Sequence, residues 1–212
     1  MVVLFGIAMA WMEAATVVYL RMLVGRVNPY QAMPLPPHQM LGNTELVREI
    51  ATLVMLFAVC WLAGRDWRTR LSYSLIAFGV CDIFYYVFMA VIVGWPRSLL
   101  DWDVLFLIPL PWWGPVLAPA IIALLMIIGG TMVTVGQPLW PRRQAIWIGA
   151  LGIVVALVVF METAIRALPG GEEALRYALP TRFNWPLFTV ACVLMTVTIG
   201  DLVWQKRTAI RS

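Results

Sequence analysis

The chain has 212 residues, of which 62% are hydrophobic and only 12% are charged. A soluble domain averages about 45–50% apolar and about 25% charged residues, so this composition excludes an ordinary soluble protein. A net charge of +4 would suggest nucleic acid in a soluble domain, but basic residues gather in the cytoplasmic loops of membrane proteins. We therefore expect no nucleic-acid partner and predict a single transmembrane domain over 1–212.

Several apolar segments are long enough to cross a membrane, which takes about 20 mostly apolar residues in a helix. They predict an all-α bundle of six transmembrane helices. Asn43 or Thr44 can cap the second helix, so we expect that helix to begin there. The predicted spans lie at about 2–23, 44–64, 71–94, 116–136, 145–168 and 187–205.

Basic residues are unevenly divided between the two sides of the predicted bundle. The loops and tail on one side hold Arg65, Arg68, Arg70, Arg142, Arg143, Lys206, Arg207 and Arg211. The loops on the other side hold Arg26, Arg97, Arg176 and Arg182 with the acids Asp101, Asp103, Glu172 and Glu173. The positive-inside rule then places both termini in the cytoplasm of a bacterial-type inner membrane.

Two loops on the predicted outer side are expected to contain short helices. The segment 95–115 is too apolar for a free loop, and we expect 98–108 to form a helix lying at the membrane interface. A second short helix is expected at Glu172–Ala178.

Carboxylates also lie within the predicted spans. An ionisable group there is costly and usually faces other helices or a wet cavity. Glu13 and Asp82 lie near the middle of the first and third spans, and Glu162 lies in the outer half of the fifth. These three are the candidate catalytic residues.

Other polar residues are expected near these carboxylates. Tyr85 and Tyr86 share the helix face of Asp82, and Gly79 one turn earlier would let a neighbouring helix approach. Glu162 and Arg166 are four residues apart and can form a pair. The expected polar cluster in the outer half of the bundle comprises Glu13, Arg21, Arg48, Glu49, Asp82, Tyr85, Tyr86, Glu162 and Arg166.

This cluster has three interpretations: a structural link between helices, a path for protons, ions or small molecules, or a catalytic pocket. Its arginines would suit an anionic or carbonyl-bearing amphiphile such as a lipid headgroup or a quinone. Under that hypothesis, Arg166→Gln should abolish retention of the ligand.

Metal and redox sites are not predicted. His38 is the only histidine and lies in a predicted outer loop, and the cysteines Cys60, Cys81 and Cys192 have no CxxC spacing. No cofactor is expected apart from a bound lipid or quinone.

Three functions follow, in order of preference. The first is a subunit without its own redox cofactor in a larger inner-membrane complex, respiratory or photosynthetic, with lipids and other membrane subunits as partners. The second is an intramembrane enzyme that acts on a lipid, isoprenoid or quinone, and it should enclose a pocket open sideways to lipid. The third is a small proton-coupled transporter.

Overall fold

The computed structural model describes residues 1–26, 28–31, 38–106, 110–135 and 139–211, without the side chains of 38–43 and 209–211. Within these ranges, six helices are long and apolar enough to cross a membrane, so the chain is a multi-pass membrane protein built as an all-α bundle. The elements are α1 Val2–Leu23, α2 His38–Ala63, α3 Trp67–Val93, β1 Trp102–Phe106, β2 Trp112–Pro115, α4 Leu117–Thr134, α5 Arg143–Ala167, a 3-10 helix Leu168–Gly170, α6 Gly171–Tyr177 and α7 Trp185–Arg211.

Helix α2 is longer than its predicted span. It begins at His38 and continues through Gly42 and Asn43, where the sequence predicted a helix start. Hydropathy marks only the part of a helix that crosses the membrane. Gly and Asn within a helix each cost only about 1 kcal/mol or less relative to Ala, which leaves room for the additional turns.

The ends of α3 follow from local chemistry. The Asp66 carboxylate accepts hydrogen bonds from the backbone N–H groups of Arg68 and Thr69, and the Asp66 backbone N–H donates to the Thr69 hydroxyl. This is a capping box, which satisfies N–H groups that the helix leaves free. Gly94 ends the helix in the left-handed conformation at φ 68°, which glycine adopts without strain.

Helix α3 holds one half of the bundle together. It packs against α1, α2 and α4, while α7 packs against α4 and α5. Helix α4 therefore joins the α1–α2–α3 group to the α5–α7 group. In the described part of the chain, α2 and α5 do not pack against each other.

The contact between α3 and α4 depends on glycine. A Cβ atom on Gly79 would lie 2.5 Å from the Ala123 carbonyl oxygen, and one on Gly130 would lie 2.7 Å from the Ser72 carbonyl oxygen. Real Cβ atoms do not approach this closely. The expectation that Gly79 lets a neighbouring helix approach is confirmed, and small residues are how membrane helices gain close packing.

The loops meet on two opposite faces of the bundle. On the first, which we call the hairpin face, the Tyr30 hydroxyl donates to the Pro180 carbonyl at 3.0 Å and the Tyr30 ring stacks on Trp102. On the second, the termini face, the Arg142 backbone N–H donates to Asp201 at 2.8 Å. The first contact joins two loops, and the second joins the segment before α5 to helix α7.

The predicted helix at 98–108 is wrong. Strands β1 and β2 form an antiparallel hairpin there, with Val104 opposite Trp113 and Asp103 opposite Gly114. Tryptophan, valine and phenylalanine favour strands, and the prolines at 109 and 111 cannot continue a helix. By contrast, the short helix predicted at Glu172–Ala178 is present as α6, shifted by one residue.

Candidate functional site

A cavity of about 460 Å³ lies inside the bundle beneath the hairpin. Its walls are mainly apolar, and all six membrane helices and the hairpin contribute to them. The lining includes Met9 of α1, Leu56 of α2, Met126 of α4, Leu157 of α5 and Met195 of α7. Its volume lies within the roughly 300–1,000 Å³ of small-molecule sites.

Helices α2 and α5 both line the cavity but do not contact each other. Leu53 of α2 and Ile153 of α5 belong to its lining, and they are 45% and 53% exposed. The two helices do not pack against each other in the described residues, so no contact between them separates the cavity from the surrounding lipid.

One charged group in the cavity is centred on Arg48 of α2. Its guanidinium forms ion pairs with Glu13 of α1 and with Glu45, one turn earlier on α2. The Arg48 Nε also donates to Glu45 Oε2 at 2.9 Å. Two carboxylates thus hold one arginine, and the pair with Glu13 links α1 to α2.

A second charged group joins the hairpin to α1. Arg21 Nη2 donates to Asp103 Oδ1 at 2.7 Å, and the side chains are only 13% and 2% exposed. The Arg21 guanidinium also lies 4.7 Å from the centre of the Trp95 ring, within the range of a cation–π contact. This pair holds the hairpin over the end of the cavity.

Asp103 is stabilised by several neighbours although it is buried. Burial raises the pKa of its carboxyl, while Arg21 and a hydrogen bond from the Val104 N–H at 2.8 Å oppose that rise. Burial also lowers the pKa of Arg26, which donates to the carbonyl of Pro29 at 2.8 and 3.0 Å.

Two carboxylates in the cavity are not held in this way. Asp82 of α3 and Glu49 of α2 line the cavity. Neither forms a hydrogen bond or an ion pair through its carboxylate with any residue that the structure describes. Asp82 lies deep in the protein beside Tyr85 and Tyr86. It is therefore free to exchange a proton with a molecule in the cavity or to bind one.

The structure brings together most of the residues that the sequence singled out. Those that line the cavity are Glu13, Arg21, Arg48, Glu49, Asp82, Tyr85 and Tyr86. Glu162 and Arg166 do not line it; they pair with each other instead, and the Arg166 side chain is 77% exposed. The structure therefore places Arg166 outside the cavity lining.

Three charged residues of the cavity were not among the sequence candidates: Arg26, Glu45 and Asp103. Glu45 had a usable signal, because it lies three residues before Arg48 on the same helix face. Asp103 and Arg26 had none, since Asp103 lies in strand β1 and Arg26 in the α1–α2 connection, and both reach the cavity only through the folding of these segments.

Among the described residues, no group of three or more histidine, cysteine or acidic side chains is arranged to hold a metal ion. The side chain of His38 lies outside the described residues.

No protein-family model, curated protein or solved structure matches this chain. What the protein does is therefore inferred from the chemistry of the cavity.

Proposed function

We propose that this protein is an intramembrane enzyme, which takes a lipidic substrate from the bilayer and acts on it by acid–base chemistry at Asp82. The observation that carries this proposal is a mainly apolar cavity among the membrane helices that contains a deeply placed carboxylate, which has no hydrogen-bond or ion-pair partner among the described residues. The substrate class is a lipid, isoprenoid or quinone.

The shape of the cavity supports a substrate with an apolar tail. The part of the lining that contains Leu53 and Ile153 is hydrocarbon, while the carboxylate of Asp82 lies deeper in the cavity. An amphiphile would enter with its tail among the helices and its polar head towards Asp82. Because the tail passes from lipid to an equally apolar wall, the polar head would contribute most of the selectivity.

Of the three catalytic candidates, Asp82 suits an acid–base role best. Glu13 is engaged by Arg48, and Glu162 lies outside the cavity with Arg166 as its partner. A catalytic acid or base must be able to reach the proton that it transfers. Asp82 meets that condition, and the phenol of Tyr85 on the same helix face can donate a hydrogen bond to a reacting oxygen.

We further propose that the protein lies in a bacterial inner membrane with both termini in the cytoplasm. The uneven division of basic residues supports this orientation. It places the hairpin and the polar end of the cavity towards the periplasm.

Native mass spectrometry of protein purified in mild detergent tests the enzyme proposal. An inactive enzyme retains its substrate, so Asp82→Asn should carry a bound species whose mass differs from that bound to the wild type. Glu162→Gln, which alters a carboxylate outside the cavity, should behave like the wild type. An identical bound mass at identical yield in Asp82→Asn and the wild type would refute the catalytic role of Asp82.

A second candidate, a subunit of a larger membrane complex, is favoured by α2. Only 11% of its apolar span is buried, the smallest share among the six spans. Exposed side chains such as Val54 and Phe57 could pack against a helix of another protein as well as against lipid. Polypeptides that co-purify in fixed ratio would support this candidate, and a monodisperse particle of this chain alone would exclude it.

A further inference from the structure

We propose that the polar head of the substrate carries a basic amine, bound as an ammonium ion with Glu49 and Asp82 as its counter-ions. This inference rests on the proposed function and names the substrate class more narrowly. It comes from the charge balance of the cavity, from the environment of the two carboxylates and from the aromatic lining.

The positive charges of the cavity are largely balanced by protein groups. Arg48 is held by Glu13 and Glu45, and Arg21 is held by Asp103, although Arg21 Nη1 has no hydrogen-bond partner among the described residues. Arg26 donates to the backbone carbonyls of Pro29 and Gln31. An anionic head would have to compete with the carboxylates for Arg48 and Arg21, so we favour a cationic head.

The negative charges exceed the positive ones. Five acids and three arginines line the cavity, which leaves an excess of two carboxylates when all are ionised. The two carboxylates without a hydrogen-bond or ion-pair partner among the described residues are Glu49 and Asp82, on neighbouring helices. A carboxylate in a membrane interior is costly unless a positive charge or a hydrogen-bond donor is near. A ligand cation would supply that partner.

Aromatic rings complete a site suited to a cation. Phe78, Tyr85, Phe106, Trp112 and Phe160 all line the cavity. The face of an aromatic ring attracts ammonium groups, and cages of aromatic rings are used to bind quaternary or methylated amines. Rings combined with spare carboxylates therefore favour an amine over a phosphate or a carboxylate head.

Photolabelling in lipid nanodiscs tests this inference. Three probes share one twelve-carbon chain with a diazirine at its end and differ only in the head, which is a primary amine, a hydroxyl or a phosphate. Labelled peptides are identified by mass spectrometry. We expect the amine probe to label cavity-lining segments of α2 and α5 about tenfold more than either other probe. One charge-assisted hydrogen bond to the head would raise the binding affinity by about this factor.

Variants of the two carboxylates show whether these residues bind the amine head. Glu49→Gln and Asp82→Asn should each reduce labelling by the amine probe about tenfold, while labelling by the hydroxyl probe should stay unchanged. Glu162→Gln should leave all three probes unaffected, because Glu162 lies outside the cavity. If Asp82→Asn does not fold, Glu49→Gln carries the test together with the comparison of probes.

The outcomes separate this inference from the proposed function. Equal labelling by the amine and hydroxyl probes, or a preference for phosphate, would overturn the amine head and leave a lipid-binding cavity. Absence of cavity labelling by every probe would overturn both. An amine preference that persists in both carboxylate variants would show that Glu49 and Asp82 are not the counter-ions and would overturn the inference as stated.

Discussion

The ion pair between Arg21 and Asp103 should be the most sensitive charged contact of the fold. Replacing Arg21 with Met keeps most of the side-chain volume and leaves the Asp103 carboxylate without its cation in a site where it is 2% exposed. Breaking a buried pair by removing one partner costs about 3–5 kcal/mol. The same change removes the contact between the guanidinium and the Trp95 ring.

This loss of unfolding free energy corresponds to a fall in the melting temperature. For a chain of 150–250 residues, 1 kcal/mol shifts the melting temperature by about 2–4 °C, so Arg21→Met should lower it by about 6–20 °C. Adding Asp103→Asn to Arg21→Met removes the uncompensated charge and should restore part of the loss. The non-additive part of such a cycle measures the coupling of the two side chains.

Intrinsic tryptophan fluorescence during heating in detergent measures these shifts, because the chain has 11 tryptophans. The matched control is Arg166→Met, which breaks the exposed pair with Glu162 and should cost less than about 1 kcal/mol. If Arg21→Met lowers the melting temperature no more than Arg166→Met does, the hairpin is not held by this ion pair.

Further predictions concern packing, capping and orientation. Gly130→Ala should lower stability by about 1–3 kcal/mol through overpacking, whereas the adjacent Gly129→Ala, whose Cβ would lie 3.8 Å from Ile199, should not; equal melting temperatures would contradict the close contact of α3 with α4. Hydrogen bonds from the helix N-terminus lower the pKa of Asp66, so its cap is intact above the ordinary carboxyl pKa and is lost as pH falls through the lowered value. Asp66→Asn should keep a pH-independent cap and Asp66→Ala should lose it, as amide hydrogen exchange at the start of α3 would show; equal protection in Asp66→Ala and the wild type would contradict the capping role. A fluorescent protein fused to the C-terminus should fluoresce in bacterial cells, and a periplasmic phosphatase fused there should be inactive; the opposite pair of results would reverse the orientation.

The membrane spans were predictable because they depend on composition and length alone. Runs of apolar residues revealed all six spans, and the error at α2 concerns turns beyond its apolar run, where hydropathy carries no information. The hairpin was not predictable from this signal, since an apolar segment of 95–115 suits an interfacial helix as well as two strands. Its form depends on pairing between 102–106 and 112–115, which is a contact between separate segments.

The candidate site was predictable in part for a similar reason. Helical spacing correctly placed Asp82, Tyr85 and Tyr86 on one face, which turns out to line the cavity. Spacing within a helix cannot show which way that face points, so Glu162 and Arg166 were grouped with residues that they do not meet. Spacing within a helix also could not show that Asp103, in strand β1, pairs with Arg21.

Filling the cavity would show whether it holds a lipidic molecule. Leu157→Trp places an indole in the cavity wall, while Val158→Trp places the same indole on the adjacent position, which is 44% exposed and does not line the cavity. Native mass spectrometry of wild type and both variants would compare the bound species. We expect a small molecule to be retained by the wild type and by Val158→Trp and to be lost from Leu157→Trp; equal retention in all three would refute a ligand in the cavity.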